Sequence, residues 1–285
     1  MGKRDPSSPV SRPLPRALRG TRIGIIGAGK MGQALIKGLL AQGLSRRFLR
    51  AADASPKTRR EVRRRFHLHV SDCAIEVVRQ SEIIILAVRP QQFPELLEEL
   101  APVIMRPQLV ISIAAGITLR WLKQRLPGIP LVRVMPNLPA TVGSGFSVIT
   151  LGPLATARHR AIARSLFGAV GEVCELPERY FDALTAVSGS GPAYVFFLVQ
   201  TWEEAARALG LPAAIATQAI RQTLEGSTHL LRESPEGASV LVEQVASKGG
   251  TTEAALQVLA HRRVQRYLVE AIMAAAKRSK TLAWG

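Results

Sequence analysis

The chain has 285 residues, is 47% hydrophobic and 21% charged, and carries a formal net charge of +17. That length exceeds one modal domain, and the composition excludes a disordered chain, a collagen-like repeat and a coiled-coil rod. Cys73 and Cys174 stand far apart with no His or Cys at ligand spacing, so neither a disulfide framework nor a zinc site is expected.

Residues 1–20 are rich in Arg and Pro but lack the apolar core of a secretory signal, which predicts a loose basic arm. From Thr21 onward, β-rich runs alternate with helical periods. Strands are predicted over 22–26, 48–52, 83–88, 109–113, 131–135, 145–150 and 172–175, with helices over 30–42 and 155–167 and between most of the other strands. Such alternation favours a mostly parallel sheet covered on both faces, here an α/β Rossmann-like dinucleotide-binding domain over 21–177. After Pro177 the strand signals stop. Helices are predicted over 192–209, 212–232, 239–245, 251–259 and 263–279, giving an all-helical domain over 178–285. In the first of these Val195, Leu198, Val199, Trp202, Ala206 and Leu209 fall on one stripe. The longest uninterrupted apolar stretches, 192–199 and 109–116, fall short of the roughly 20 residues that a membrane span needs. A cytoplasmic protein without a membrane partner is therefore expected.

Charge distribution argues against nucleic acid. The arm holds five cations against Asp5 and the stretch 57–65 holds six against Glu61, but no basic stripe is interleaved with base-stacking aromatics.

Gly27-Ala28-Gly29-Lys30-Met31-Gly32 closes one predicted strand and opens one predicted helix. In that setting the first glycine permits the tight turn and the second lets backbone approach a pyrophosphate. The third permits close helix–strand packing, and the helix N-terminus offers unpaired N–H donors to phosphate. Beyond the second strand the cues oppose each other. Asp53 stands where an acidic side chain accepts from a ribose 2′-hydroxyl, which favours NAD, whereas Ser55, Lys57, Arg59 and Arg60 suit the 2′-phosphate of NADP. NADPH is the expected cofactor, with NADH the alternative. Two further glycine-rich stretches, 188–192 and 247–252, each precede a helical period and fit a turn plus an N-cap. The second also concentrates hydroxyls and backbone N–H groups at a helix start, a place suited to a carboxylate.

Six segments follow one another along the chain: Ile23-Gly24-Ile25-Ile26-Gly27-Ala28-Gly29, Ala87-Val88-Arg89-Pro90-Gln91, Ser112-Ile113-Ala114-Ala115-Gly116-Ile117, Arg133-Val134-Met135-Pro136-Asn137, Ser188-Gly189-Ser190-Gly191-Pro192-Ala193-Tyr194 and Gly249-Gly250-Thr251-Thr252. In this order they resemble the pyrroline-5-carboxylate reductase family of proline biosynthesis, over about Arg22 to Leu282. The resemblance implies hydride transfer from NAD(P)H to the C=N bond of 1-pyrroline-5-carboxylate, giving L-proline. It implies that the first glycine loop holds pyrophosphate, Ser55 and Lys57 the 2′-phosphate, and Ala87, Val88, Arg89 and Pro90 the adenosine and ribose side. Ala114, Ala115 and Gly116 would approach the nicotinamide ribose, with Asn137 in the pocket wall. Ser247, Gly249, Gly250 and Thr251 would hold the substrate carboxylate, and Thr252 the reacting nitrogen. A domain-swapped homodimer or larger homo-oligomer is implied, each active site taking the α/β domain of one chain and helices of its partner.

Arg89 replaces the usual Lys of the family, Lys248 stands where many members have Pro, and Cys73-Ala74 where an Asn often faces adenosine. A related imine or β-hydroxyacid reductase is the alternative enzyme. Hydroxyacid oxidation calls for a positioned Lys on the first long helix of the helical domain, and residues 192–209 contain none. A nucleotide-sensing or nucleic-acid-binding relative is the alternative outside enzymes. None of the five histidines is required by the chemistry.

Overall fold

A computed structural model describes residues 14–284. Its elements run β1 (Ile23–Ile26), α1 (Lys30–Ala41), β2 (Leu49–Ala52), α2 (Pro56–Phe66), β3 (Val70–Ser71), α3 (Ala74–Arg79), β4 (Ile83–Leu86), α4 (Phe93–Leu100) and β5 (Leu109–Ser112). Then follow α5 (Leu119–Arg125), β6 (Leu131–Met135), β7 (Gly145–Leu151), α6 (Ala157–Gly168), β8 (Gly171–Glu175) and α7 (Phe181–Leu184). Among the described residues the strands form one sheet in the order β3-β2-β1-β4-β5-β6-β7-β8, parallel throughout except where β6 meets β7. The Rossmann-like class expected from the sequence is therefore present, and its strand order reverses between β1 and β4, where such sheets open a crevice at their C-terminal ends.

Period-two geometry explains the all-apolar strands. Ile83 and Ile85 of β4 enter one core with Ile23, Ile25 and Leu35, while Ile84 and Leu86 enter the other with Ile26, Phe93 and Trp121. A strand covered on both faces has no polar side to show. The two-residue β3, absent from the sequence reading, is too short to display any alternation.

The chain divides into two compact units, one running to Ser190 and taking in the chain from Ala275 on, the other Gly191–Ala274. By compactness the division falls at Ser190, a few turns of helix beyond the change of character expected near Pro177. Residues just past Pro177 are fastened to the sheet unit: Phe181 is buried, and Glu178 pairs with the buried Arg133 at 2.7 Å. The arm expected over 1–20 also differs at its end. Arg16–Leu18 form a 3₁₀ turn with Leu18 wholly buried in the core that contains Leu166 and Phe167, while residues 1–13 lie outside the described residues.

The second unit holds α8 (Gly191–Ala208), α9 (Ala213–Glu233), α10 (Ala238–Val245), α11 (Thr251–His261) and the start of α12 (Val264–Leu282). The glycine-rich stretch 188–192 is not the turn the sequence suggested. Thr185–Gly189 is a π-helical turn within a helical run, with Ser190 N–H reaching back to the Thr185 carbonyl at 2.8 Å. Proline cannot donate, so the carbonyl four residues before Pro192, that of Ser188, loses its helical partner. Asn137 Nδ2 supplies one at 3.3 Å, and donates to Ser188 Oγ at 3.1 Å. The whole run Glu178–Ala208 is long and apolar enough, by length and composition, to cross a membrane, with 6% of its most apolar window buried. Counting only uninterrupted apolar residues had hidden it.

Candidate functional site

The glycine loop joins β1 to α1 at the reversal of strand order. Gly27 has φ +98°, and a Cβ on it would lie 2.6 Å from the Ala87 carbonyl oxygen, so the loop runs tight against the end of β4. A Cβ on Gly32 would collide with the Gly27 carbonyl, which is how α1 comes close to its strand. Gly29 differs from both. A Cβ there meets nothing within 4 Å, so the second glycine borders open space at the first turn of α1, where backbone N–H groups have no helical acceptor. Lys30 is exposed and Met31 half-buried beside it.

Asp53 is turned toward this loop. Its Oδ2 accepts from Ala28 N–H and its Oδ1 from Ser55 N–H, both at 2.8 Å. Arg59 donates to the Asp53 and Ala54 carbonyls at 2.8 and 2.9 Å and pairs with Asp72 at 3.6 Å, so it closes the turn. Ser55 caps α2 by accepting from Thr58 N–H at 3.3 Å. Lys57 is exposed and has no ion-pair partner among the described residues. A cavity of about 450 Å³ beside Gly29 is lined by Lys30, Gln33, Lys37, Thr58 and Arg65, a surface whose cations outnumber Glu61.

At the ends of β4 and β5, Ala87, Val88 and Pro90 are half-buried and Arg89 is exposed at the start of a 3₁₀ turn. Ala114 and Gly116 are buried and Ala115 exposed. Gly116 has φ +77°, and its backbone meets the end of the chain: Trp284 N–H donates to the Gly116 carbonyl at 2.8 Å. Glu178 accepts from Leu119 N–H at 2.8 Å, capping α5 while it pairs with Arg133. Asn137 is fully occupied, since its Oδ1 also accepts from Phe146 N–H at 2.8 Å.

In the helical unit, Ser247, Lys248 and Gly249 are exposed and lead into α11. Gly250 N–H closes a turn on the Ser247 carbonyl at 2.9 Å. Glu253, at the third helical position, reaches back past the N-cap Gly250 to Gly249 N–H at 2.5 Å, a local contact that its place near the helix start could have announced. Thr251 and Thr252 occupy the first turn, and among the described residues neither hydroxyl has a hydrogen-bond partner. Gly249 and Gly250 N–H are thus already taken and do not offer the carboxylate donors the sequence suggested; the donors left at this helix start are the N–H groups of Thr251, Thr252 and Glu253 and the two threonine hydroxyls.

A second cavity, of about 330 Å³, is lined by Arg46, Arg50, His67, His69 and Glu76. Among the described residues no cluster of His, Cys, Asp and Glu could hold a metal ion. Burial, aided by Arg158, lowers the His159 pKa, and burial raises that of the Cys174 thiol, both on the α6 and β8 edge away from the loops. The sequence reading missed the roles of Glu178, Glu253 and Trp284; only Glu253 had a local signal.

Comparison with known proteins matches residues 22–116 to a family described as NADP oxidoreductase coenzyme F420-dependent, and 178–282 to pyrroline-5-carboxylate reductase dimerisation. A pyrroline-5-carboxylate reductase from Arabidopsis thaliana is 37% identical over 270 residues, covering 94% of this chain and 98% of that protein. A solved structure of the Coxiella burnetii pyrroline-5-carboxylate reductase superposes with TM-score 0.84 at 29% identity over 93% of this chain and 99% of that one. The Plasmodium falciparum pyrroline carboxylate reductase, solved with NADP bound, gives TM-score 0.86 at 26% identity, again over 93% and 99%.

Proposed function

The chain belongs to the pyrroline-5-carboxylate reductase family, and from that premise we propose that its glycine loop holds NADPH while Thr252 meets the ring nitrogen of 1-pyrroline-5-carboxylate, the cyclic imine that it reduces to L-proline. The observation that carries the cofactor assignment is the open space at Gly29, bounded by the first turn of α1 and by a cavity rich in Lys and Arg. Those residues fit a pyrophosphate. NADPH rather than NADH follows from Asp53, whose two oxygens are engaged by Ala28 and Ser55, leaving Ser55 Oγ and Lys57 to meet a 2′-phosphate. The NADP-bound Plasmodium relative supports the same preference. Ala87 to Pro90 line the adenosine side, and Ala114 to Gly116 the nicotinamide ribose.

When bound, the nicotinamide supplies the hydride. The protein orients the imine carbon, holds the ring nitrogen and binds the carboxylate, because a protonated imine is already a good hydride acceptor. The N–H groups at the start of α11, with Ser247, take the carboxylate; the free Thr252 hydroxyl bonds to the nitrogen and relays its proton. No lysine lies on α8 to act as the base of a hydroxyacid dehydrogenase. The exposed apolar face of the helical unit is assigned to a second copy of the chain and not to lipid, since the dimerisation match covers it.

Oxidation of NADPH and of NADH, followed with 1-pyrroline-5-carboxylate and with its six-membered homologue, tests this reading. Fastest turnover is expected with NADPH and the five-membered ring. Turnover confined to the six-membered ring or to a hydroxyacid would overturn the substrate assignment.

A further inference from the structure

We propose that the end of the chain, Leu282 to Trp284, is a clasp that positions the Ala114–Gly116 loop for the nicotinamide ribose, with Trp284 as a positioning residue. This rests on the cofactor reading given above. The juxtaposition lies wholly within the sheet unit. After α12 the chain lays Trp284 alongside Ile117 in a parallel β-bridge, donates Trp284 N–H to the Gly116 carbonyl at 2.8 Å, and takes the Thr118 hydroxyl on the Trp284 carbonyl at 2.7 Å. Leu282 packs so closely that a Cβ on Gly116 would stand 2.7 Å from its carbonyl oxygen. Gly116, at φ +77°, therefore has two reasons to lack a side chain, and both come from the tail and the turn.

The tail is itself fastened. Trp284 meets Trp121 edge to face with ring centroids 5.7 Å apart, and Trp121 meets Phe93 in the same manner at 6.3 Å, so the indole is seated on one of the two cores. One turn earlier in α12, the buried Ser279 donates to Asp182 at 2.8 Å. On its other sides the loop is held by Ser112 Oγ, which accepts from Ala114 N–H at 3.4 Å, and by Glu178 on Leu119 N–H. The tail meets the loop at Gly116, the residue next to the exposed Ala115. A loop with a glycine and two alanines has no side chains with which to hold its own shape, so its conformation is set from outside.

Peptide-level hydrogen exchange on the full-length protein, with and without NADPH, is the first test. NADPH is expected to slow exchange roughly tenfold at Trp284 as well as at Ala114–Gly116 and Gly27–Gly32, because bonds that form one positioned unit open together. Slowing at Gly27–Gly32 with none at Trp284 would overturn the clasp alone; slowing at neither would overturn the cofactor reading and the clasp with it. Substitution gives the second test. Trp284→Ala is expected to raise KM for NADPH about threefold to tenfold, the scale of a lost edge-to-face anchor, with kcat at saturating NADPH and the oligomeric state unchanged. Trp284→Phe is expected to restore KM. An unchanged KM in a folded Trp284→Ala enzyme would overturn the proposal.

Discussion

The unit that carries the sheet encloses Phe93, Phe167 and Phe181 completely, whereas Gly191–Ala274 buries only Ala206, Ala216 and Ile220 among the described residues. That second unit leaves Phe196, Phe197, Trp202, Tyr267 and Met273 exposed. Both units carry amphipathic helices, so the helices alone do not separate them. What separates them is closure: a sheet with helices on both faces surrounds its own apolar side chains, while helices that meet along one narrow seam hide only the small residues lying in it. Each large side chain left in water forgoes about 1.5–3 kcal/mol of burial. The exposed face of the helical unit is the one the proposed second copy would cover, and among the described residues the sheet unit has no counterpart of that extent.

The sharpest way to break this comparison is a charge in each surface. Trp202→Asp would bury an unpaired carboxylate in the proposed contact and is expected to weaken self-association by more than about a hundredfold, with activity falling alongside. Met105→Asp, in the sheet unit and also exposed, is expected to change neither. Light scattering at micromolar concentration reads both; an active monomer in either case would remove the distinction.

Within the sheet unit, the glycines divide packing from ligand binding. Gly29→Val is expected to lower NADPH affinity by about a hundredfold, the scale of misplacing a bound reactant, with the thermal midpoint nearly unmoved, because its side chain points into open space. Gly32→Ala is expected to lower the midpoint itself, since its Cβ meets the Gly27 carbonyl. Identical behaviour of the two variants in calorimetry and cofactor titration would mean that the loop is only a packing motif.

In the helical unit, Thr252→Val keeps shape and removes the hydroxyl. A fall in kcat/KM of at least about tenfold, near 1.4 kcal/mol, is expected, with KM for NADPH unchanged. A lowered midpoint with undiminished kcat/KM would reduce Thr252 to a residue of the helix start. The smallest effect concerns the 2′-phosphate. Lys57→Ala is expected to weaken NADPH binding by about 1–2 kcal/mol and to leave NADH untouched. Asp53→Asn, by loosening Ala28 and Ser55 together, is expected to weaken both cofactors alike. A selective loss of NADH in Asp53→Asn would make that carboxylate a ribose reader after all.

By itself the sequence determined the class of fold, the junction of strand and helix at Gly27–Gly32, and the end-to-end family resemblance. The first two are local, a period, a turn and a run of small residues each readable within a dozen positions, and the resemblance is a succession of such short segments over about Arg22 to Leu282. Only the tertiary structure decided where Asp53 points, because nothing near it in the chain reports that the Ala28 N–H, 25 residues earlier, will meet its carboxylate. The same holds for Glu178, which caps α5 and neutralises Arg133 from 45 residues away, and for Trp284, whose carbonyl takes the hydroxyl of Thr118, 166 residues before it. Even the glycines at 188–192, which look like a turn, remain helical because Asn137, far earlier in the chain, accepts the task of pairing the Ser188 carbonyl that Pro192 cannot serve. Hydrogen-bond partners brought together by folding outweigh local preference wherever a backbone group would otherwise be left unpaired, and no pattern along the chain reports which partner will arrive.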